Sequence, residues 1–211
     1  NGGDGVDKTI AYEYDDSGIR VSRQEDLDPK TLYLVDRQNH TGYAQTLEES
    51  GSITRAYLIA HSVLGQQNVA PVAAYLNFLT DGGGSTRGIL DATGQIAAGE
   101  VYAYNAYGVR LDGHYAATDF LYRAERRDGD HDYLRARPYD FKTGRFFRVD
   151  DYAGSSQDPQ SFHKYLYTHA DPVNGRDPSG LVTLKSLLTT VGTIAKTTAF
   201  IGGAATTALS A

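Results

Sequence analysis

The sequence predicts a mainly β protein assembled from repeated antiparallel β-hairpins. Tyrosine is used heavily, with 16 residues against 7 Phe and no Trp, alongside 23 Gly. That pairing suits many short strands joined by tight turns. A unit also recurs: Tyr12-Glu-Tyr-Asp-Asp-Ser-Gly18-Ile-Arg20 and Tyr102-Ala-Tyr-Asn-Ala-Tyr-Gly108-Val-Arg110 share the form Y-x-Y-[DN]-x-x-G-x-R. Its second half returns in Tyr139-Asp140-Phe-Lys-Thr-Gly144-Arg145. Looser copies occur at Leu90-Asp91-Ala-Thr-Gly94-Gln-Ile96 and from Leu34-Val-Asp36 to Gly42-Tyr43.

Each position of the unit has a physical role. Alternating Tyr or Val gives a half-buried strand. Asp or Asn accepts hydrogen bonds from nearby backbone N–H groups, and Gly three residues later tolerates positive φ, so the chain reverses into a second strand. One hairpin is marginal alone, and stacked neighbours bury a common face. The copies are unevenly spaced, which excludes a strict solenoid period.

Between the copies, residues 56–60 and 73–79 read as strands and Asp81-Gly-Gly-Gly-Ser85 as a turn. Residues 118–124 and 132–138 read as strands flanking a hairpin at Arg126-Arg-Asp-Gly-Asp130. Residues 154–159 read as a loop, and 161–167 as a strand or a short helix leading into one. After Leu181 the pattern changes. Leu184, Leu187, Leu188, Val191, Ile194 and Ala195 follow helical spacing. Lys185 and Lys196 interrupt this tract, and a lysine near the middle of a membrane span costs roughly 2.5–3.5 kcal/mol. The tract therefore reads as a helix packed on the β body, with a membrane-active segment as the alternative.

Composition sets further bounds. Hydrophobic residues make up 40% of the 211, enough for a sizeable core. The net charge of −6 has both signs interspersed, so no basic stripe points to a nucleic-acid partner. The absence of cysteine excludes a disulfide framework and a thiolate metal site. The chain opens on Asn1 without an initiating Met or signal peptide, and an uncharged stretch, 197–211, closes it; both suggest a fragment or processed product. Nothing indicates a cofactor. His131 lies among Asp128, Asp130 and Asp132, which reads as an acidic exposed hairpin tip rather than a cation site. No serine has a G-x-S-x-G context, and Gly82-Gly-Gly84 lacks the Lys-Ser/Thr of a phosphate loop.

The ordered set of motifs resembles the RHS/YD-repeat family, which includes teneurins and insecticidal-toxin C components. Gly84-Ser-Thr-Arg87-Gly-Ile-Leu90-Asp91 through Tyr102-Ala-Tyr-Asn-Ala-Tyr-Gly108 carries the likeness first. Phe120-Leu-Tyr122 to Arg135-Ala-Arg137-Pro-Tyr-Asp140 and Gly144-Arg145-Phe146 carry it next. His163-Lys-Tyr-Leu-Tyr167, Asp171-Pro-Val-Asn174 and Asp177-Pro-Ser-Gly180-Leu181 close it. Together these span roughly residues 10 to 181.

The resemblance implies a hairpin ribbon wound into a spiralling β shell around a C-terminal polymorphic toxin, with a terminal core turned inward at one end. It divides the chain into YD-repeat hairpins over 1–118, a terminal core over 119–181 and the start of the enclosed cargo over 182–211. The implied partners are the rest of the shell and the protein's own C-terminal effector. The implied setting is secreted or cell-surface, by delivery through a secretion system.

It also implies an aspartyl self-cleavage near Leu181–Val182. Two adjacent carboxylates would share the chemistry, one ionised to activate water and one protonated to polarise the carbonyl. By motif position the pair is Asp150 and Asp177, with Arg145 positioning or balancing them. The run Asp150-Asp151-Tyr-Ala-Gly154 departs from the family's Asp-Pro-x-Gly, so Asp158 and Asp128 remain alternatives. Each aspartate equally suits a turn or cap. A purely adhesive surface protein, binding glycans or a protein partner through exposed tyrosines, is the rival reading.

Overall fold

The computed structural model describes residues 9–113 and 115–181. The tract over 182–211, with Val182, lies outside the described residues. Nine strands form one antiparallel sheet in chain order: β1 Ile10–Tyr14, β2 Arg20–Glu25, β3 Thr31–Asp36, β4 Gln45–Ser50, β5 Thr54–Ile59, β6 Val63–Ala70, β7 Ala74–Thr80, β8 Thr86–Leu90 and β9 Ile96–Val101. A second antiparallel sheet follows, of β10 Arg126–Asp128, β11 His131–Leu134, β12 Arg137–Asp140 and β13 Arg145–Phe146. The protein is mainly β, and its only helical turns among the described residues are three short 3-10 turns.

The repeated turn follows from its sequence. Asp15 Oδ1 accepts the N–H groups of Ser17 at 2.9 Å and Ile19 at 3.1 Å. Asn105 Oδ1 does the same for Tyr107 and Val109, at 2.9 and 3.0 Å. Asp81 and Asp91 repeat the pattern over Gly83 and Ser85, and over Thr93 and Gln95. The glycine three residues on has positive φ in each case, +73° at Gly18 and +95° at Gly108. At Gly108 space matters too, because an added Cβ would lie 2.7 Å from the Tyr122 ring. The arginine that ends the unit returns over its first tyrosine. Arg20 lies 5.1 Å from the Tyr12 ring and Arg110 lies 4.7 Å from the Tyr102 ring. The unit thus couples a turn to a cation–π contact across its own hairpin.

Alternation sorts the nine strands into two faces. Tyr33 pairs with Glu49 and Glu49 with Arg55; Tyr57 pairs with Gln66, and Phe78 with Ile89. This face is covered by the chain from Ala116 to Leu121, giving a core of Tyr57, Val63, Phe78, Ile89, Tyr102, Phe120 and Leu121. The opposite face carries Leu34, Leu58, Leu79 and Val101, all exposed. A second core of Tyr122, Leu134, Tyr139, Phe141, Phe146 and Tyr167 fills the terminal region, and Tyr104 packs against both.

Two expected strands differ. Residues 118–124 are not a strand: Tyr122–Ala124 form a 3-10 turn, with Arg123 and Ala124 at φ +55° and +58°. The expected strand over 132–138 is split between β11 and β12, because Arg135 turns the chain at φ +56°. Within 161–167, Pro159–Phe162 end as a 3-10 turn and Leu166 bridges Arg145. No helix among the described residues is long and apolar enough to cross a membrane.

Candidate functional site

Period-two alternation on β12 and β13 builds the site. Arg137 and Tyr139 alternate on the buried side of β12, and Tyr139 pairs with Phe146. Arg137 is therefore in phase with the buried aromatics, and its guanidinium lies 3.8 Å from the Phe146 ring. Arg145 pairs with Asp140, one position out of phase, and is exposed.

Arg137 reaches four groups with one guanidinium, the Lys164 carbonyl at 3.5 Å from Nη1 among them. Nη1 meets Asp150 Oδ2 at 2.8 Å, and Nη2 meets Asp177 Oδ2 at 3.6 Å. Nε donates to the Gly180 carbonyl. Asp150 is placed by its backbone, whose N–H donates to the Lys164 carbonyl at 2.9 Å, and its Oδ1 accepts Tyr152 N–H at 2.9 Å. The Asp177 side chain is 3% exposed. Its Oδ1 accepts the Ser179 hydroxyl and the Leu181 N–H, both at 3.1 Å.

The closing motif is seated on the turn between β11 and β12. Ala136 N–H donates to the Ser179 carbonyl at 3.2 Å. Gly180 approaches so closely that a Cβ there would lie 2.2 Å from the Leu134 carbonyl oxygen, and its φ is +71°. Asp150, Asp177 and the Gly180 carbonyl thus meet around one buried cation, with Leu181 N–H on Asp177.

The other candidates stand elsewhere. Asp158 lies 3.3 Å from His169 Nε2 in the turn it makes with Ser155. Asp128 is buried under Arg20 and Arg23, whose Nε lies at 2.9 Å, and these partners hold its carboxyl below the usual range despite burial. No carboxylate pairs with Arg145 among the described residues. Arg137 was missed in the sequence, although an arginine in phase with Tyr139 was a legible signal.

The turn at His131 is not the exposed acidic tip expected, because Asp128 and Asp132 are buried and only Asp130 of the three is exposed. Asp128 faces the two arginines, Asp130 pairs with Lys142 at 2.7 Å, and Asp132 pairs with Arg127. No group of three or more metal-ligating His, Asp or Glu side chains occurs among the described residues.

Two buried acids flank the site. Burial raises the Glu125 carboxyl above its ordinary value, against the pull of Arg135 and Arg176. Burial likewise pushes Asp132 up to about 7, outweighing Arg127 beside it. A raised folded value means that the stabilising contribution is complete below about pH 4 and is lost as pH rises through 7. Stability should therefore fall by on the order of a few kcal/mol across that window. Asp132→Asn should flatten that slope in urea midpoints measured from pH 4 to 8. An unchanged slope would remove Asp132 as its source.

The fold and the site define a nine-stranded antiparallel sheet of consecutive hairpins, followed by a four-stranded sheet that carries two carboxylates on one arginine. No family model matches the chain. It is 28% identical over 184 residues to the tRNA nuclease WapA of Bacillus subtilis, covering 83% of this chain and 8% of that protein. It is 26% identical over 215 residues to salivary gland surface protein 1 of Aedes aegypti, covering 93% of this chain and 6% of the relative. Among solved structures, a crystal structure of TcdB2–TccC3 without its hypervariable C-terminal region matches with a TM-score of 0.62 at 19% identity. That match covers 86% of this chain and 9% of the solved one, and at this identity it establishes the fold. The chain spans less than a tenth of each of these three proteins.

Proposed function

We propose that this chain is the last stretch of ribbon and the terminal core of an RHS-type shell, which encloses a downstream toxin and frees it by cutting near Leu181–Val182. The observation that carries this reading is the convergence of Asp150 and Asp177 on Arg137, with Leu181 N–H bonded to Asp177. One guanidinium balances one carboxylate. The proposed chemistry needs one carboxylate ionised and the other carrying a proton. The ionised group takes a proton from water, the resulting hydroxide adds to the Leu181 carbonyl, and the protonated group supports the oxyanion. Collapse breaks the C–N bond as the carboxyl that took the proton from water returns it to the Val182 nitrogen, which leaves as the amine.

The relatives support the toxin-associated part of the reading. One is named a tRNA nuclease, and another was solved without a hypervariable C-terminal region. Both fit a common ribbon ahead of a variable effector, delivered outside the producing cell. The surface-protein relative from Aedes aegypti keeps the adhesive alternative in view. Against it, Tyr57, Tyr102, Tyr122, Tyr139 and Tyr167 are buried and Tyr12 and Tyr102 sit under arginines, although Tyr14, Tyr75, Tyr152 and Tyr165 are exposed.

The test is the intact mass of the purified protein, followed by Asp150→Asn, Asp177→Asn and the double variant. Wild type is expected as two fragments meeting near Leu181, and each variant as one chain. Two unchanged fragments from the double variant on a denaturing gel would overturn the reading.

A further inference from the structure

The closing motif is held by the turn between β11 and β12, and that turn is itself tied to the ribbon through Tyr43 and Ala44. Three consecutive carbonyls of the motif are engaged: Pro178 by Arg135 Nη1, Ser179 by the Ala136 N–H and Gly180 by Arg137 Nε. Arg135 is itself fixed at several points. Its Nη1 pairs with the buried Glu125 at 2.7 Å, and its Nε donates to the Ala44 carbonyl at 2.6 Å. Its guanidinium lies 4.4 Å from the Tyr43 ring. Arg176, directly before Asp177, donates to the Tyr43 hydroxyl at 2.8 Å and stacks 5.9 Å from the same ring. Tyr43 and Ala44 belong to the loop between β3 and β4, more than 130 residues before the motif in the case of Arg176.

Arg135 holds a left-handed backbone, with φ +56°, that a non-glycine residue adopts at a cost of roughly 1 kcal/mol or more. Such a conformation persists only where its surroundings over-determine it, and here the ribbon loop supplies part of them. We propose that Tyr43 is a positioning residue for the closing motif. By engaging Arg135 and Arg176 together, it sets the backbone of residues 176–181 against the terminal core. The aspartates then meet Leu181 only once this part of the ribbon has folded onto that core, a consequence that rests on the proposed cut near Leu181.

The test compares wild type, Tyr43→Phe and Tyr43→Ala in the whole protein by hydrogen–deuterium exchange over residues 176–181 and by the rate of fragment appearance. Tyr43→Ala should speed exchange there, leave β5–β8 unchanged, and slow the cut about 10- to 100-fold, as misplacement by about an ångström does. Tyr43→Phe keeps the ring and loses one hydrogen bond, so it should stay within about tenfold of wild type. Wild-type exchange at 176–181 in Tyr43→Ala would overturn the proposal. Faster exchange in β5–β8 as well would make Tyr43 a general core residue and overturn it equally. If wild type is never cut, the cleavage reading fails alone and the exchange comparison still decides the role of Tyr43.

Discussion

Arg137→Ala is expected to cost about 3–5 kcal/mol, the range for removing one partner of a buried ion pair. The change removes the guanidinium that faces Asp177, whose side chain is 3% exposed, along with the Arg137 contacts of the Gly180 carbonyl and of Asp150. It also removes the stack on Phe146 at 3.8 Å. Lysine should recover little, because Nε, Nη1 and Nη2 each serve a different partner and an ammonium on a flexible stem cannot reproduce that fork. The denaturant midpoint of the purified protein measures the loss. A shift of under about 0.5 kcal/mol would mean that the guanidinium is not the cross-link between β12, Asp150 and the closing motif. Loss of the cut in the same variant would be uninformative without this measurement, since a detached motif and a missing charge both stop the reaction.

Arg126→Ala is the second large effect, again about 3–5 kcal/mol. Arg126 lies between the nine-stranded sheet and the terminal core. Its Nη2 meets Glu49 at 2.7 Å and Tyr57 Oη at 3.1 Å, and its Nη1 meets Asp119 at 3.2 Å. The guanidinium also stacks 5.0 Å from the Tyr33 ring and 5.1 Å from the Phe120 ring. Without it, Glu49 keeps only Arg55, at 2.6 Å, as a charged partner among these residues. Adding Glu49→Gln should therefore cost less than the sum of the two single changes, and a double-mutant cycle reads that coupling. The pH dependence has a definite sign. Burial pushes the Glu49 carboxyl up, but Arg126 and Arg55 outweigh it and hold the group below the usual carboxylate range. Its stabilising contribution is present above about pH 4.5 and is lost as pH falls through the lowered value. Strict additivity in the cycle would show that Arg126 and Glu49 do not act as a pair.

Most of the fold was legible because its signals are local. The turn at Asn105–Gly108 needs only an amide oxygen, two nearby N–H groups and a residue free to take positive φ, all within five positions. The arginine of the unit is likewise within reach of its own first tyrosine, as Arg110 over Tyr102 shows. The failures over 118–124 and 132–138 have one cause. Arg123, Ala124 and Arg135 occupy left-handed backbone that their residue types disfavour, and contacts distant in sequence hold them there. Arg135, for instance, is tied to Ala44 and Glu125.

For the site, motif position picked out Asp150 and Asp177, and the choice between Arg145 and Arg137 turned on strand phase. Arg145 follows Gly144 in the repeat and looked like the natural partner. The pairing of Tyr139 with Phe146 puts it outside and Arg137 inside. Residue types and spacing sufficed for the hairpins and for their turns, since each depends on neighbours a few positions away, whereas Asp150 and Asp177 were pointed to only by the resemblance. Which cation those aspartates share, and that Tyr43 stands behind the motif, followed only from packing the ribbon against the terminal core. Burial there selects partners by depth and direction, and residues 43 and 176 come within hydrogen-bonding distance only in the folded chain.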